Sequence, residues 1–280
     1  MAFTFDQLKT IVRTYANKGD FEPMLDTAFT TPHQKRLLAK LRERSYSVWT
    51  EGNAKLPFLS FSGLPGEGVC PGAGECLQFC YSFRSWRNTA PFMRQFQNSI
   101  LLDTVEGRRK IVSDLDKALA KRKFQKVIKD GKPVDIRLYV DGDFRNTGEI
   151  RFWMRVLSER PHVRAYCYSK SLHLFKQLSE QGFKFPPNFM LNLSTGGVYD
   201  GLHDSMQSLP YVRGRFAAGP VNASPLKLNK AQKRTLTTWA KDTYGGRAVV
   251  CPGRCGDCTS AGHICGMSQF KGYTVVIPKH

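Results

Sequence analysis

Between residues 134 and 194, short apolar runs alternate with amphipathic segments, and this constrains the chain more than any other feature. VDIRLYV (134–140), VRAYCYS (163–169) and NFMLNLS (188–194) read as strands; EIRFWMRVLSER (149–160) and SLHLFKQLSEQG (171–182) read as the helices between them. Strands joined by helices of this length form βαβ units and a parallel sheet. Right-handed crossovers bring the three strand C-termini to one edge, where the ligand sites of such sheets lie. That edge is polar and glycine-rich: Asp141-Gly142-Asp143, Tyr168-Ser169-Lys170 and Ser194-Thr195-Gly196-Gly197.

The flanking sequence predicts helices over about Phe5–Asn17, from Pro32 onward and across Pro91–Lys129. A short apolar strand begins at Leu56 and leads into a stretch rich in Gly and Pro. A further helix is expected after Asn229, then a strand at RAVV and a closing strand at YTVVI. The expected organisation is a helical segment over residues 1–50 and an α/β metal-binding domain over residues 51–280. The fold class is α/β, with a parallel, partial TIM-barrel-like sheet, N-terminal helices and cysteine-rich metal-binding loops.

No apolar run approaches the roughly 18 residues of a membrane-spanning helix. The N-terminus carries spaced charges and no small-residue cleavage site, so a cytoplasmic protein with no membrane partner is expected. Lys and Arg number 42 against 23 Asp and Glu, a formal net charge of +19. Such an excess suits a polyanion, and nucleic acid, DNA or RNA, is the expected partner. In a reducing compartment eight cysteines favour metal or redox chemistry over disulfides.

Seven of the eight fall in two groups. Cys251, Cys255, Cys258 and Cys265, in CPGRCGDCTSAGHIC, are close enough in sequence to surround one centre, with His263 as an alternative ligand. Structural zinc sites usually combine two short pairs across a longer gap, whereas three close cysteines with a fourth behind suit a [4Fe–4S] cluster wrapped by one loop. Zinc is the alternative. The second group is Cys70, Cys76 and Cys80, in CPGAGECLQFCY; three ligands leave a coordination position open, as a catalytic site requires. The two groups make two centres, or share one. Cys167, between two tyrosines in a strand, reads as a core residue.

LSFSGLPGEGVCPGAGECLQFCYS, RLYVDGDF, VRAYCYSKS, NLSTGG and CPGRCGDC, in that order, resemble the phage and plasmid family named for gene product 88, across roughly Leu59 to Gly266. That family is in turn similar in outline to radical-SAM barrels, whose three-cysteine loop after the first strand binds a [4Fe–4S] cluster. The likeness implies S-adenosylmethionine as a further cofactor. The spacing here departs from it: C-x5-C-x3-C at Cys70, Cys76 and Cys80 in place of C-x3-C-x2-C, which occurs instead at Cys251, Cys255 and Cys258.

At the strand ends, Asp141 and Asp143 suit acid–base or cation-binding roles, or helix capping, and Lys170 suits a phosphate or carboxylate. Ser194, Thr195, Gly196 and Gly197 would let a cofactor approach the backbone, or make a turn. His203 and Asp204 are a weaker proton-transfer pair. After Cys80, Arg84, Trp86, Arg87 and Arg94 interleave cations with aromatic rings, the pattern of single-strand binders and equally of an amphipathic helix. The functional expectation is an iron–sulfur protein that binds or acts on nucleic acid. Its alternatives are a zinc-stabilised nucleic-acid-binding regulator and a radical-SAM-like enzyme.

Overall fold

The computed structural model describes residues 3–52, 58–78, 80–258 and 263–279. Leu56, where the first predicted strand begins, and residues 259–262 of the C-terminal cysteine loop lie outside them. Eleven α-helices among the described residues run in chain order as α1 Phe5–Ala16, α2 Glu22–Ala28, α3 Pro32–Arg42, α4 Ser82–Ser85, α5 Thr89–Asp103, α6 Val105–Leu119, α7 Arg122–Lys129, α8 Thr147–Ser158, α9 Leu172–Glu180, α10 His203–Met206 and α11 Lys230–Tyr244. The strands are β1 Thr50–Glu51, β2 Phe58–Ser60, β3 Val134–Leu138, β4 Val163–Ser169, β5 Phe189–Ser194, β6 Val212–Asn222, β7 Ala248–Val250 and β8 Tyr273–Lys279.

The strands form one sheet in the order β1-β2-β3-β4-β5-β6-β8-β7. Only β1 is antiparallel; the others run parallel. The parallel sheet is as expected. The partial barrel is not confirmed: the row begins at β1 and ends at β7, and no pairing joins those ends among the described residues.

Side chains alternate across each strand and so give the sheet two different faces. Val134, Ile136 and Leu138 of β3, Val163, Ala165 and Cys167 of β4, and Phe189, Leu191 and Leu193 of β5 point into a core shared with α6, α8 and α9. Cys167 is fully buried there, as a core residue. Apart from Met190, residues of the opposite register are polar or aromatic: Asp135, Arg137, Arg164, Tyr166, Tyr168, Asn192 and Ser194. The C-terminal segment covers part of this second face, where Ile264 and Cys265 pack with Tyr166, Met190 and Val275.

The N-terminal helices form a third apolar cluster. Thr4 caps α1 in a capping box with Gln7, and Leu8, Ile11, Val12 and Tyr15 follow the helical repeat into a core with Leu38 and Leu41 of α3 and Phe92 and Phe96 of α5. The predicted helical tract 91–129 is broken twice. Thr104 takes an extended conformation and caps α6 through Gly107, and Lys121 is extended ahead of α7.

No helix is long and apolar enough to cross a membrane.

Candidate functional site: a cysteine-lined cavity at the strand ends

β3 stops where Tyr139 adopts φ +53°, uncommon for a non-glycine residue, and its hydroxyl donates to the buried Glu149 at 2.7 Å. The chain then turns through Gly142 to Asp143. This carboxylate is not a free acid or base: Oδ1 accepts from Ser169 Oγ (2.7 Å) and Phe144 N (2.8 Å), and Oδ2 from Lys170 N (2.8 Å) and Ser171 N (3.1 Å). Burial pushes its pKa up, while those donors and Lys170 oppose the rise. Asp143 therefore ties the end of β3 to the end of β4. Asp141 is half-buried, and its carbonyl accepts from Gly63 N at 3.0 Å. Lys170 reaches across to β5, where Nζ donates to Ser194 Oγ at 2.8 Å.

These strand ends surround a cavity of about 160 Å³. Cys70, Cys76 and Cys80 line it together with Arg137, Asp143, Tyr168, Lys170, Ser194 and Thr195. The loop that carries the cysteines lies on the sheet edge through backbone contact. Ala73 and Gly197 form a β-bridge, Val198 N donates to Gly72 O at 3.1 Å, and Cys76 N donates to Gly196 O at 3.4 Å. A Cβ on Gly72 would stand 1.9 Å from Lys170 O, and one on Gly197 would stand 2.6 Å from Gly72 O. Here Gly196 and Gly197 serve the close approach of the cysteine loop, while Ser194 and Thr195 face the cavity.

Asp141 does not line this cavity and Asp143 does, so the structure separates the two aspartates. Burial raises the pKa of Cys70 and Cys80, with neighbouring cysteines adding to the rise. The thiols thus stand within one another's electrostatic reach.

Cys251, Cys258 and Cys265 pack in the apolar cluster on the covered face of the sheet. Burial lifts the Cys251 thiol to about 12, and Cys265, Cys258 and Cys255 add to it. Cys265 is fixed most firmly. Its carbonyl accepts from Asn192 Nδ2 at 3.0 Å, and Tyr168 packs against the same cluster. Asn192 is held in turn by Arg213 Nε at 2.7 Å, and Arg213 is completely buried. Among the described residues, no three His, Cys, Asp or Glu side chains stand close enough together to hold one metal ion. Several buried polar atoms beside this group have no hydrogen-bond partner there: Arg137 Nε, the Tyr166 hydroxyl and both ring nitrogens of His263.

Sequence reasoning passed over Arg137. Its guanidinium lies over the Tyr168 ring at 4.7 Å and lines the cavity. Burial opposes its charge, but Tyr81, Tyr168, Tyr166 and Cys255 together raise its pKa beyond the usual arginine value. Arg137 and Tyr168 thus stand between the two cysteine groups. The only hint available was the alternation of Asp135 and Arg137 within an otherwise apolar strand.

The aromatic-basic stretch after Cys80 is split by burial. Arg84 and Arg87 are exposed and Arg94 is partly so. Trp86 is fully buried, its Nε1 donates to Gln95 at 2.7 Å, and it packs edge-on against Phe92. The expectation that Trp86 stacks on bases is corrected: it belongs to the N-terminal core. Tyr81, 39% exposed, is the most exposed aromatic side chain of this stretch.

His203 is buried near Asp200, with 3.8 Å between Nε2 and the carboxylate. Burial holds its pKa below the ordinary histidine value, and Asp200 offsets part of that. The unfolded chain takes up this proton near pH 6.5 and the folded chain only at lower pH, so acidification favours unfolding. The contribution is complete above about pH 6.5 and is lost as the pH falls below it. Urea midpoints at pH 7.5 and 5.5 should differ less for His203→Gln than for the parent; equal differences would refute the assignment.

The fold and its cavity define an α/β protein on a mostly parallel eight-stranded sheet, with a cysteine loop docked on the C-terminal strand ends. Residues 33–218, more than half of the chain, match the model of the gene product 88 family, and the chain belongs to that family. The matched stretch contains Cys70, Cys76, Cys80, Asp143 and Lys170 and ends before Cys251. No curated protein and no solved structure matches the chain.

Proposed function

We propose that the chain is a [4Fe–4S] iron–sulfur protein that binds or acts on nucleic acid. The observation that carries this reading is the placement of Cys70, Cys76 and Cys80 on one cavity at the C-terminal strand ends. Cysteine sulfur is the usual donor to such clusters. Cys70, Cys76 and Cys80 would hold one cluster at the cavity, and Cys251, Cys255, Cys258 and Cys265 a second one behind Tyr168. The unpartnered donors Arg137 Nε and the Tyr166 hydroxyl suit a neighbour that brings sulfur acceptors. When bound, a cluster supplies one-electron transfer.

The chain's own groups prepare the cavity for an anionic ligand. Lys170, oriented by Ser194, and Arg137, laid over Tyr168, offer two cations. Asp143 fixes the loop that carries Lys170. Arg84 and Arg87 are exposed just beyond Cys80 and suit a phosphate backbone approaching the same edge.

Iron, zinc and acid-labile sulfide measured on anaerobically prepared protein test the reading. Iron and sulfide in equal amounts are expected, falling by about half in Cys70→Ala and again by about half in Cys265→Ala. Stoichiometric zinc without sulfide would replace it with a zinc-stabilised nucleic-acid binder. Formation of 5′-deoxyadenosine from S-adenosylmethionine by the reduced protein would identify the radical-SAM-like form.

A further inference from the structure

A second concave surface lies away from the cysteine cavity, between α6 and α8 on the helical side of the sheet. It is a groove of about 910 Å³. Five cations line it, Arg108, Arg109 and Lys117 from α6 and Arg151 and Arg155 from α8, against two carboxylates, Asp116 and Glu159. Both carboxylates are already engaged by Arg160, which stands outside the lining. Its Nε and Nη2 meet Asp116 at 2.8 and 2.9 Å, and its Nη1 meets Glu159 at 3.4 Å.

Lys117 pairs with Asp114, outside the lining, at 3.5 Å, but the four arginines have no such compensation. Arg109, Arg151 and Arg155 are exposed and form no ion pair among the described residues; Arg151 donates to Gln181 Oε1 at 3.1 Å and lies over the Phe183 ring at 4.8 Å, neither of which neutralises its charge. Arg108 is held in place, with Nε donating to Leu102 O at 2.8 Å and its guanidinium over the Phe152 ring at 5.5 Å. Arg151 and Arg155 are four residues apart and lie on one side of α8. A concave surface whose fixed charge is nearly all positive focuses potential and concentrates polyanions. The groove includes Gly148, in the first turn of α8, five residues beyond Asp143 of the cysteine cavity.

We propose that this groove between α6 and α8 is a nucleic-acid-binding track that seats the phosphate backbone of a strand and directs it toward the strand-end cavity. The proposal rests on the nucleic-acid part of the reading above and is independent of the metal. Arg109, Arg151 and Arg155 contact phosphate oxygens, while Arg108, presented on Phe152, offers a planar guanidinium on which a base can stack. Phosphate contacts position a strand without reading its sequence, so binding through the groove is sequence-tolerant.

The test measures binding of the full-length protein to a 20-nucleotide mixed-sequence single strand, as DNA and as RNA, and to the corresponding duplex, across a salt series. Two triple variants are compared with the parent: Arg109→Gln/Arg151→Gln/Arg155→Gln in the groove, and Lys230→Gln/Lys233→Gln/Arg234→Gln on the exposed face of α11, which removes equal charge elsewhere. The groove variant should flatten the dependence of log affinity on log salt by about 2–3 and weaken binding at 0.1 M salt on the order of 100-fold. The α11 variant should behave nearly as the parent. The groove residues replaced are exposed, and the bond lost from Arg151 to Gln181 is a surface one, so thermal melting should change little. In the parent, photocrosslinks to a bromouracil-containing strand should map to α6 and α8, which tests the track without any substitution.

Parent-like binding by the groove variant, or crosslinks confined to α11 or the cysteine loop, would overturn the track while leaving nucleic-acid binding in place. Failure of the parent to bind any of the probes at 0.05 M salt would overturn both. The preferred probe identifies whether the track takes single strands or duplexes.

Discussion

Replacing Arg145 with methionine is expected to destabilise the protein by about 3–5 kcal/mol, the usual cost of removing one partner from a buried ion pair. Arg145 is the meeting point of three helices. Its Nε pairs with Glu149 of α8 at 2.5 Å, and Nη2 with Asp103 of α5 at 2.8 Å. Nη1 donates to the Tyr15 hydroxyl of α1 at 2.6 Å, and Nη2 also reaches the Ser99 carbonyl at 3.2 Å. Glu149 is completely buried, so without the guanidinium its carboxylate keeps only its bonds from the Tyr139 hydroxyl and the Arg145 backbone N–H. Equilibrium urea unfolding checks the size of the loss. Glu149→Gln together with Arg145→Met should recover part of it, because the double variant leaves no uncompensated charge. A double variant no more stable than Arg145→Met would refute this account.

The second large effect is expected at Gly72. A methyl group there would lie 1.9 Å from the Lys170 carbonyl oxygen and 2.4 Å from Ser171 N, both of them backbone atoms. Backbone cannot swing aside as a side-chain tip can, so Gly72→Ala must lift the cysteine loop off the sheet edge. The bridge between Ala73 and Gly197 and the bond from Val198 N to Gly72 O would be lost. The core beneath is not touched, so the global unfolding free energy should fall by only about 1–3 kcal/mol, within the range of overpacking effects. Reaction of Cys70 with a thiol reagent should instead accelerate by a factor of ten or more, because the docked loop leaves Cys70 only partly exposed and burial raises its thiol pKa. An unchanged labelling rate would show that the loop is not held by this contact. Iron and sulfide retention in the same variant reports on the proposed cluster separately.

The parts of the fold legible in the sequence are those whose interactions are local. VRAYCYS forms β4 over the expected residues, and β3, β5, α8 and α9 match within two or three. The helix after Asn229 starts there because the Asn229 and Gln232 side chains cap each other's backbone. β6, the longest strand, gave no such signal. Its sequence, VRGRFAAGPVN, carries two arginines, two glycines and a proline, and Pro220 falls where its register with β8 shifts. Arg213 is tolerated there because Asn192 and two carbonyl groups receive its protons, partners that lie 21 or more residues away or one strand position along. Trp86 and Arg87 look alike as members of an aromatic-basic run, yet one is core and the other solvated. That distinction is set by α5 folding back over the ring.

The cysteines show the same division. By itself the sequence determined that seven thiols lie in two glycine-containing loops at either end of a βαβ array, because spacing and strand order are properties of the chain. It could not determine what each loop faces. Only the tertiary structure put Cys70, Cys76 and Cys80 on one cavity with Lys170 and Asp143, and placed Arg137 and Tyr168 between them and the C-terminal group. The reason is physical: the cysteines of each loop stand more than 50 positions from these strand-end neighbours in the chain, brought to them by parallel strand register and by a loop whose glycines admit backbone contact.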